Sequence, residues 1–263
     1  MRVSLTSLGV VGQTFQKIQL HRVGLRTPFP VGLSRKLKGQ SLLAIHRRAK
    51  YLLFETESYY LISHLGMTGS WRVTQTSERG KHDHADLEFA SGLTIVFNDP
   101  RRFGILDLSK KAELPSNRWF KHLGLEPLDA EFTADWLFAQ SRGLKGPIKG
   151  FLMDQRRVVG VGNIYASEAL HAAGVRPTRA AGKISKDEAG RLVTEIRRIL
   201  IEAIAAGGST IRDYKNSKGE SGSFQQRFLV YDRSGEPCLA CKATVKSQVI
   251  AGRNTFWCPK CQR

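Results

Sequence analysis

Long apolar runs are missing from this chain of 263 residues. No stretch approaches the roughly 18 consecutive apolar residues of a membrane-spanning helix. A secretory leader is not expected from Met1 to Gly12, a stretch too short and too polar in its middle. Acidic residues are scarce: 23 Asp and Glu stand against 41 Lys and Arg, a net charge of +18. The imbalance is not confined to a tail. Residues 1–125 carry 19 basic and 9 acidic side chains and residues 126–263 carry 22 and 14, excesses of +10 and +8. A polyanion gripped by both halves is the simplest reading, and nucleic acid is the leading candidate. No basic amphipathic helix with an aromatic face is present, which argues against an acidic membrane surface. Internal repeats are absent as well. The Gly160-Val-Gly162 turn follows no Val/Ile strand run and precedes no suitably spaced acidic residue, so a dinucleotide fold is not indicated.

Cysteine is rare, and its placement is informative. All four lie near the C-terminus, as Cys238-Leu-Ala-Cys241 and Cys258-Pro-Lys-Cys261. Two C-x-x-C knuckles at this separation fit one tetrahedral zinc ion with no open position for substrate. Disulfide pairing is the minor alternative, since paired metal knuckles suit a reducing cytosol. Between the knuckles, Val245–Ile250 and Asn254–Trp257 read as the strands of a hairpin with Ala251-Gly252-Arg253 at its tip. The ribbon would thus hold out Arg253.

The rest of the chain divides by pattern. Short apolar alternations broken by Gly, Pro, Asn and Ser predict strands over Phe15–Val23, Ser41–Arg48, Tyr51–Glu55, Tyr59–His64, Gly69–Thr74, His84–Phe89, Thr94–Asn98 and Phe103–Leu108. So many short strands predict an antiparallel β-sandwich or flattened barrel. After Pro115 the period turns helical, over Ala134–Arg142, Ile148–Met153, Asn163–Ala173 and Lys186–Ala206. Ser185 and Glu188 form a capping box for the last of these. Leu192, Val193, Ile196, Ile199, Leu200, Ala203 and Ile204 share one face, and Gly207-Gly208 stops the helix. The fold class is α+β: an N-terminal antiparallel β-sandwich over residues 1–115, a helical domain over 130–225 and a zinc ribbon over 226–263.

Several stretches admit both a plain and a chemical reading. In Arg47-Arg-Ala-Lys-Tyr51, strand alternation puts Arg48 and Lys50 on one face, as solvated charges or as a phosphate-facing or reactive amine. His64-Leu-Gly-Met-Thr-Gly69 and Asp99-Pro-Arg-Arg-Phe-Gly104 are turns between strands that present Met67, Arg101 and Phe103. Core packing is the usual fate of a lone Met or Phe, but an apolar wedge beside an arginine is what enters a base stack. Lys81-His-Asp-His84 makes a weak metal site and a better phosphate contact or plain surface. Asn163 reads as the N-cap of its helix, or as part of an anion site at the helix N-terminus.

Together, Arg48-Ala-Lys-Tyr-Leu52, the two turn motifs, Lys81-His-Asp-His84, Val159-Gly-Val-Gly-Asn-Ile-Tyr-Ala-Ser-Glu168 and the four-cysteine ribbon resemble the formamidopyrimidine-DNA glycosylases, from about Gly12 to the C-terminus. That family excises oxidised purines such as 8-oxoguanine and formamidopyrimidine from duplex DNA and nicks the resulting abasic site. The resemblance implies that Lys50 donates a proton in β-elimination. Arg253 would hold the phosphate beside the lesion and assist δ-elimination. Met67, Arg101 and Phe103 would fill the gap left by the extruded base, with Arg101 facing the orphaned cytosine. His82 and Asn163 would contact the DNA backbone, and Lys145 more distantly so. Asn163 would open the second helix of a helix–two-turn–helix motif, and Arg212 to Gln226 would close over the extruded base. One structural Zn2+ on Cys238, Cys241, Cys258 and Cys261, a monomer, and a bacterial cytoplasm with the enzyme at the nucleoid complete the expectation.

The resemblance breaks at the start. Mature members begin Pro-Glu-Leu-Pro-Glu, with the proline amine as nucleophile and the next glutamate as general acid/base, and neither is found between Met1 and Gly12. Two expectations follow. Either the coding start is placed too late and the whole protein carries that segment, or the chain is a non-catalytic lesion- or abasic-site-binding protein. The retained constellation around Lys50 and Arg253 favours the first. The Met1 amine is not expected to replace the proline, because no acid stands beside it.

Overall fold

A computed structural model describes residues 1–75, 79–208 and 223–263. The chain forms two compact units, Met1–Lys121 with Gly207–Ser223, and His122–Ala206 with Phe224–Arg263.

The first unit contains α1 (Arg2–Ser7), β1 (Phe15–Leu20), α2 (Leu33–Leu37), β2 (Ala44–Arg48), β3 (Tyr51–Glu55), β4 (Tyr59–His64), β5 (Ser70–Thr74), β6 (Asp83–Phe89), β7 (Thr94–Asn98) and β8 (Ile105–Lys110). The strands form two four-stranded sheets, ordered β1-β6-β7-β5 and β2-β3-β4-β8, with antiparallel pairing throughout. Apolar side chains from both sheets meet in one core. Trp71 of β5 lies 5.2 Å from Phe54 of β3 in the opposite sheet and 4.9 Å from Phe97 of β7. The Trp71 indole is wholly buried and donates Nε1–H to Ser63 Oγ at 2.9 Å, so its polar edge is satisfied inside the sandwich. The expected sandwich is therefore present, with three strands on their expected bounds and ends of the other five moved by one to three residues. Neither α1 nor α2 is visible in the sequence pattern. Both are short, and each is held by one or two buried leucines (Leu5, then Leu33 and Leu37) rather than by an amphipathic stripe.

The second unit holds α3 (Ala134–Ser141), α4 (Ile148–Met153), α5 (Asn163–Ala172), α6 (Lys186–Ala205), β9 (Lys246–Ile250) and β10 (Arg253–Trp257). The capping box on α6 is formed, with the Ser185 hydroxyl accepting from Glu188 N–H and the Glu188 carboxylate accepting from Ser185 N–H. Gly207, at φ +72°, turns the chain out of the helix. α6 packs its buried face on α3 and α5. Ile204 departs from the expected face: in the last turn it is 60% exposed, while Ala189 at the other end is buried. The β9–β10 hairpin turns on two residues, Ala251 (φ +50°) and Gly252 (φ +71°), the signature of a type I′ turn. Arg253 is thus not in the turn. It opens β10, paired with Ile250. Among the described residues no helix is long and apolar enough to cross a membrane.

Candidate nucleic-acid interface

In the first unit, one buried side chain ties the two turns together. Asp99 is fully buried. Its Oδ1 accepts from the Thr68 hydroxyl at 2.5 Å and its Oδ2 accepts from Gly104 N–H at 2.7 Å. Its carbonyl pairs with His84 Nε2 at 2.8 Å. Thr68 Oγ1 in turn accepts from Arg101 N–H at 3.2 Å. A Cβ on Gly66 would meet the Phe103 carbonyl carbon at 2.7 Å, so the loops touch backbone to backbone. The outcome is that Met67, Arg101 and Phe103 stand side by side and exposed, Met67 by 63% and Phe103 by 44%. The Arg101 guanidinium lies over the Phe103 ring at 4.8 Å. Large apolar groups held in water beside a cation need a reason, and core packing is not it.

Lys50 is placed differently from its sequence reading. β2 ends at Arg48, which pairs with Tyr51, so Ala49 and Lys50 form the two-residue turn of a hairpin and strand alternation does not apply. Ala49 takes φ +53° there, and Lys50 is exposed. Next to the turn, Tyr51 pairs with His64 across β3 and β4, their rings 4.9 Å apart. His64 Nδ1 accepts from Gly66 N–H at 2.9 Å. Burial, then the charges of Lys50 and Arg26, push its pKa down to about 4, so the ring is neutral at pH 7.

His82 precedes β6, and its carbonyl accepts from Asp99 N–H at 3.0 Å. Its neighbour Asp83 is buried and accepts both Arg72 guanidinium arms, at 2.5 and 2.6 Å, with Asn98 Nδ2 and Gly80 N–H as further donors. Burial alone would raise the Asp83 pKa, but these donors overcome it and hold the carboxyl down to about 2. This acid is a structural clamp, which removes it from any metal reading of the Lys81–His84 stretch.

In the second unit, the four cysteine sulfurs lie within 4.8 Å of one another, with Cys241 and Cys258 at 3.4 Å and Cys238 and Cys261 at 3.9 Å. Zn–S bonds of about 2.3 Å in a tetrahedron require sulfurs about 3.8 Å apart. The cysteines are free thiols at that spacing, and the set fits zinc.

From this base the hairpin reaches α5. The N-cap of α5 is Gly162 and not Asn163, and no side chain caps the helix. Asn163 instead donates Nδ2–H to the Asn254 carbonyl at 2.9 Å, next to Arg253. A residue without a signal in the sequence joins it. Lys149 on α4 is fully buried and donates Nζ–H to Thr255 Oγ1 at 2.7 Å and to the Asn254 carbonyl at 3.4 Å. Burial lowers its pKa to about 8. Glu168 of α5 accepts from the N–H groups of Leu229, Val230 and Tyr231 at 2.8–3.0 Å, while burial raises its pKa. Arg253 is exposed with no side-chain partner among the described residues, and Lys145 is exposed ahead of α4. Most of the loop expected over Arg212–Gln226 lies outside the described residues. Only its end is described, as a 3-10 helix over Phe224–Arg227.

Comparison with known proteins matches these parts in order. Residues 1–106 match the formamidopyrimidine-DNA glycosylase N-terminal domain, residues 123–215 its H2TH domain, and residues 235–263 a zinc finger found in FPG and IleRS. A formamidopyrimidine-DNA glycosylase of Bdellovibrio bacteriovorus is 49% identical over 253 residues, 94% of this chain and 91% of the relative. Another, of Rhizorhabdus wittichii, is 46% identical, covering 96% and 93%. Among solved structures, Lactococcus lactis Fpg in complex with abasic-site DNA superposes with a TM-score of 0.91 at 34% identity, covering 100% of this chain and 96% of the other. MutM (Fpg) from Thermus thermophilus superposes at 0.88 with 40% identity, covering 99% and 95%. Sandwich, H2TH unit and zinc ribbon thus define a DNA glycosylase of base-excision repair. The chain belongs to the formamidopyrimidine-DNA glycosylase family.

Proposed function

We propose that this chain recognises and processes oxidised purines, 8-oxoguanine and formamidopyrimidine, in duplex DNA, together with the abasic sites they leave. The observation that carries this reading is the Asp99 joint. It holds a sulfur-containing aliphatic group, an aromatic ring and a guanidinium exposed on one pair of loops. Extruding a base costs a few kcal/mol, and a rigid wedge that fills the vacated stack offsets that cost. Arg101 carries donors suited to the orphaned cytosine's acceptors.

Lys50 sits in a tight, exposed turn, where an ammonium can deliver a proton in β-elimination. Arg253 extends from a strand whose backbone Lys149 and Asn163 grip, so it serves as the phosphate anchor that assists δ-elimination. His82 and Lys145 supply further phosphate contacts. Asn163 contributes chiefly by fixing the hairpin, since its amide is already engaged there. One zinc per chain holds the ribbon in a structural role. The protein acts as a monomer in a bacterial cytoplasm, at the nucleoid.

The test compares duplexes bearing 8-oxoguanine opposite cytosine, an abasic site, or neither. The first two should bind at least tenfold more tightly, and equal affinity for intact duplex would overturn the proposal. Borohydride trapping then reads chemistry. A chain extended by Pro-Glu-Leu-Pro-Glu and its connecting residues should give a trapped adduct and strand cleavage with 8-oxoguanine DNA. Lesion binding without cutting by the extended chain would assign a non-catalytic binding role instead.

A further inference from the structure

His171 has no part in the interface above, yet it is buried, only 8% exposed, in the last turn of α5. Its Nε2 lies 3.7 Å from Cys238 Sγ, a distance suited to an N–H···S hydrogen bond. Its Nδ1 is buried with no partner among the described residues. With zinc bound, these facts assign the role of Nε2. A zinc-bound cysteine is a thiolate and can only accept, so Nε2 carries the hydrogen.

A Zn2+ with four thiolates carries two net negative charges, and donors aimed at sulfur spread that charge. The Ala240 and Cys241 amides already point at Cys238 Sγ from within its own knuckle. His171 approaches from outside the ribbon, along a seam held mostly through backbone groups. There Arg263 N–H donates to the Gly174 carbonyl at 3.1 Å, and Arg176 N–H donates to the Arg263 carbonyl at 2.9 Å. Gln262 Nε2–H donates to the Val175 carbonyl at 2.9 Å.

We propose that His171 is a positioning residue for the metal: it donates Nε2–H to the Cys238 thiolate and thereby ties the zinc centre to the C-terminal end of α5. The N-terminal end of the same helix holds the hairpin through Asn163 and Asn254. The two fixings are eight residues apart, about 12 Å along the helix axis. α5 therefore sets the orientation of the ribbon and of Arg253, and the imidazole slows loss of the metal.

This inference rests on the four-cysteine zinc site, which metal analysis of the unsubstituted chain checks separately. A chain without zinc would end the site reading itself. Given one zinc per chain, three proteins decide the role of His171: the unsubstituted chain, His171→Phe and His171→Gln. Phenylalanine keeps the bulk and removes the donor, while glutamine restores an N–H near the Nε2 position. Zinc release to an excess of chelator should be about tenfold faster in His171→Phe and return most of the way in His171→Gln. With Co2+ in place of zinc, the sulfur-to-cobalt charge-transfer band should move to lower energy in His171→Phe, because an unbonded thiolate gives up charge more readily. It should return in His171→Gln. Unchanged release and an unchanged band in His171→Phe would overturn the proposal. So would equal disturbance in both variants, because packing alone would then account for it.

Discussion

The wedge loops of the first unit and the hairpin of the second both offer side chains to solvent, but they are held by opposite means. The wedge is centred on one buried carboxyl group, with the Arg101 N–H to Thr68 Oγ1 bond beside it. Asp99 takes a hydroxyl and a backbone N–H from the two loops. The hairpin is held at several points: four cysteines at its base, and Lys149 and Asn163 along its backbone. A loop pair centred on one carboxyl should fail as a whole when that group is removed, because the Thr68 hydroxyl that holds Arg101 N–H is itself held by Asp99. A strand with several supports should lose them one at a time, with smaller and more specific effects.

Asp99→Ala should show the largest effect. It orphans Gly104 N–H and the Thr68 hydroxyl in a dry site, at about 1–3 kcal/mol each. The loops will then part, and the preference for 8-oxoguanine or abasic duplex over intact duplex should fall at least tenfold. Affinity for intact duplex should change little, because the proposed phosphate contacts Lys145 and Arg253 belong to the second unit, and the Asp99 N–H that holds the His82 carbonyl survives the substitution. Competition binding with the three duplexes, alongside a melting curve, checks this. A preserved preference in a folded Asp99→Ala chain would show that the wedge does not depend on its joint.

The two regions also differ in how far the sequence displays them. The strands over Tyr51–Glu55, Tyr59–His64 and Thr94–Asn98 and the helix over Ile148–Met153 match the observed bounds, since each strand is a short apolar run that ends on a polar residue and the helix is bracketed by Pro147 and Asp154. The exposure of Met67 and Phe103 is half legible: a lone Met or Phe usually packs in the core, and the arginine beside them in Gly-bearing turns is what points the other way. What the pattern misses is geometry decided by a neighbour. Lys50 reads as a strand residue, but Ala49 at positive φ makes the turn. Asn163 reads as a cap, but its amide is claimed by Asn254 from the distant ribbon. Arg253 falls one residue beyond the turn because Ala251 accepts a conformation that favours glycine. Lys149 carries a charge that ordinarily marks surface, although it lies three residues from buried Leu152 and so on the core side of α4. Asp99 stands in the sequence only as the start of a motif. An Asp opening a turn that ends in Gly104 is the signal that marks it.

Lys149→Met tests the support beneath the hairpin, with an intermediate effect that depends on pH. The folded-state pKa near 8 lies below the unfolded value of about 10.4, so between these values the unfolded chain binds more protons. The contribution of Lys149 to stability is therefore complete above about pH 10.4. It is lost as pH falls through the folded pKa, and the difference is on the order of 3 kcal/mol across the window. Relative to Lys149→Met, the unsubstituted chain should gain stability as pH rises from about 8 to about 10. Denaturant unfolding of both at several pH values would show it. Parallel pH profiles would mean that the ammonium is solvated in the folded protein.

The smallest effect should come from Arg253→Ala, and it is the most specific. The side chain is exposed and without a partner among the described residues, so its loss should leave the melting temperature and the zinc content unchanged. Its proposed work is to neutralise one phosphate. Each phosphate contact to duplex DNA adds close to one to the slope of log K against log salt, through release of a condensed counterion. The slope should therefore become shallower by about 1, equally for lesion-bearing and intact duplex, while the preference between them stays. That pattern is the reverse of the one expected from Asp99→Ala, where preference falls and the slope holds. An unchanged slope would mean that Arg253 faces something other than phosphate. A reduced preference at constant slope would move Arg253 from the phosphate anchor to the reading of the lesion itself, and the separation of the two regions by task would not hold.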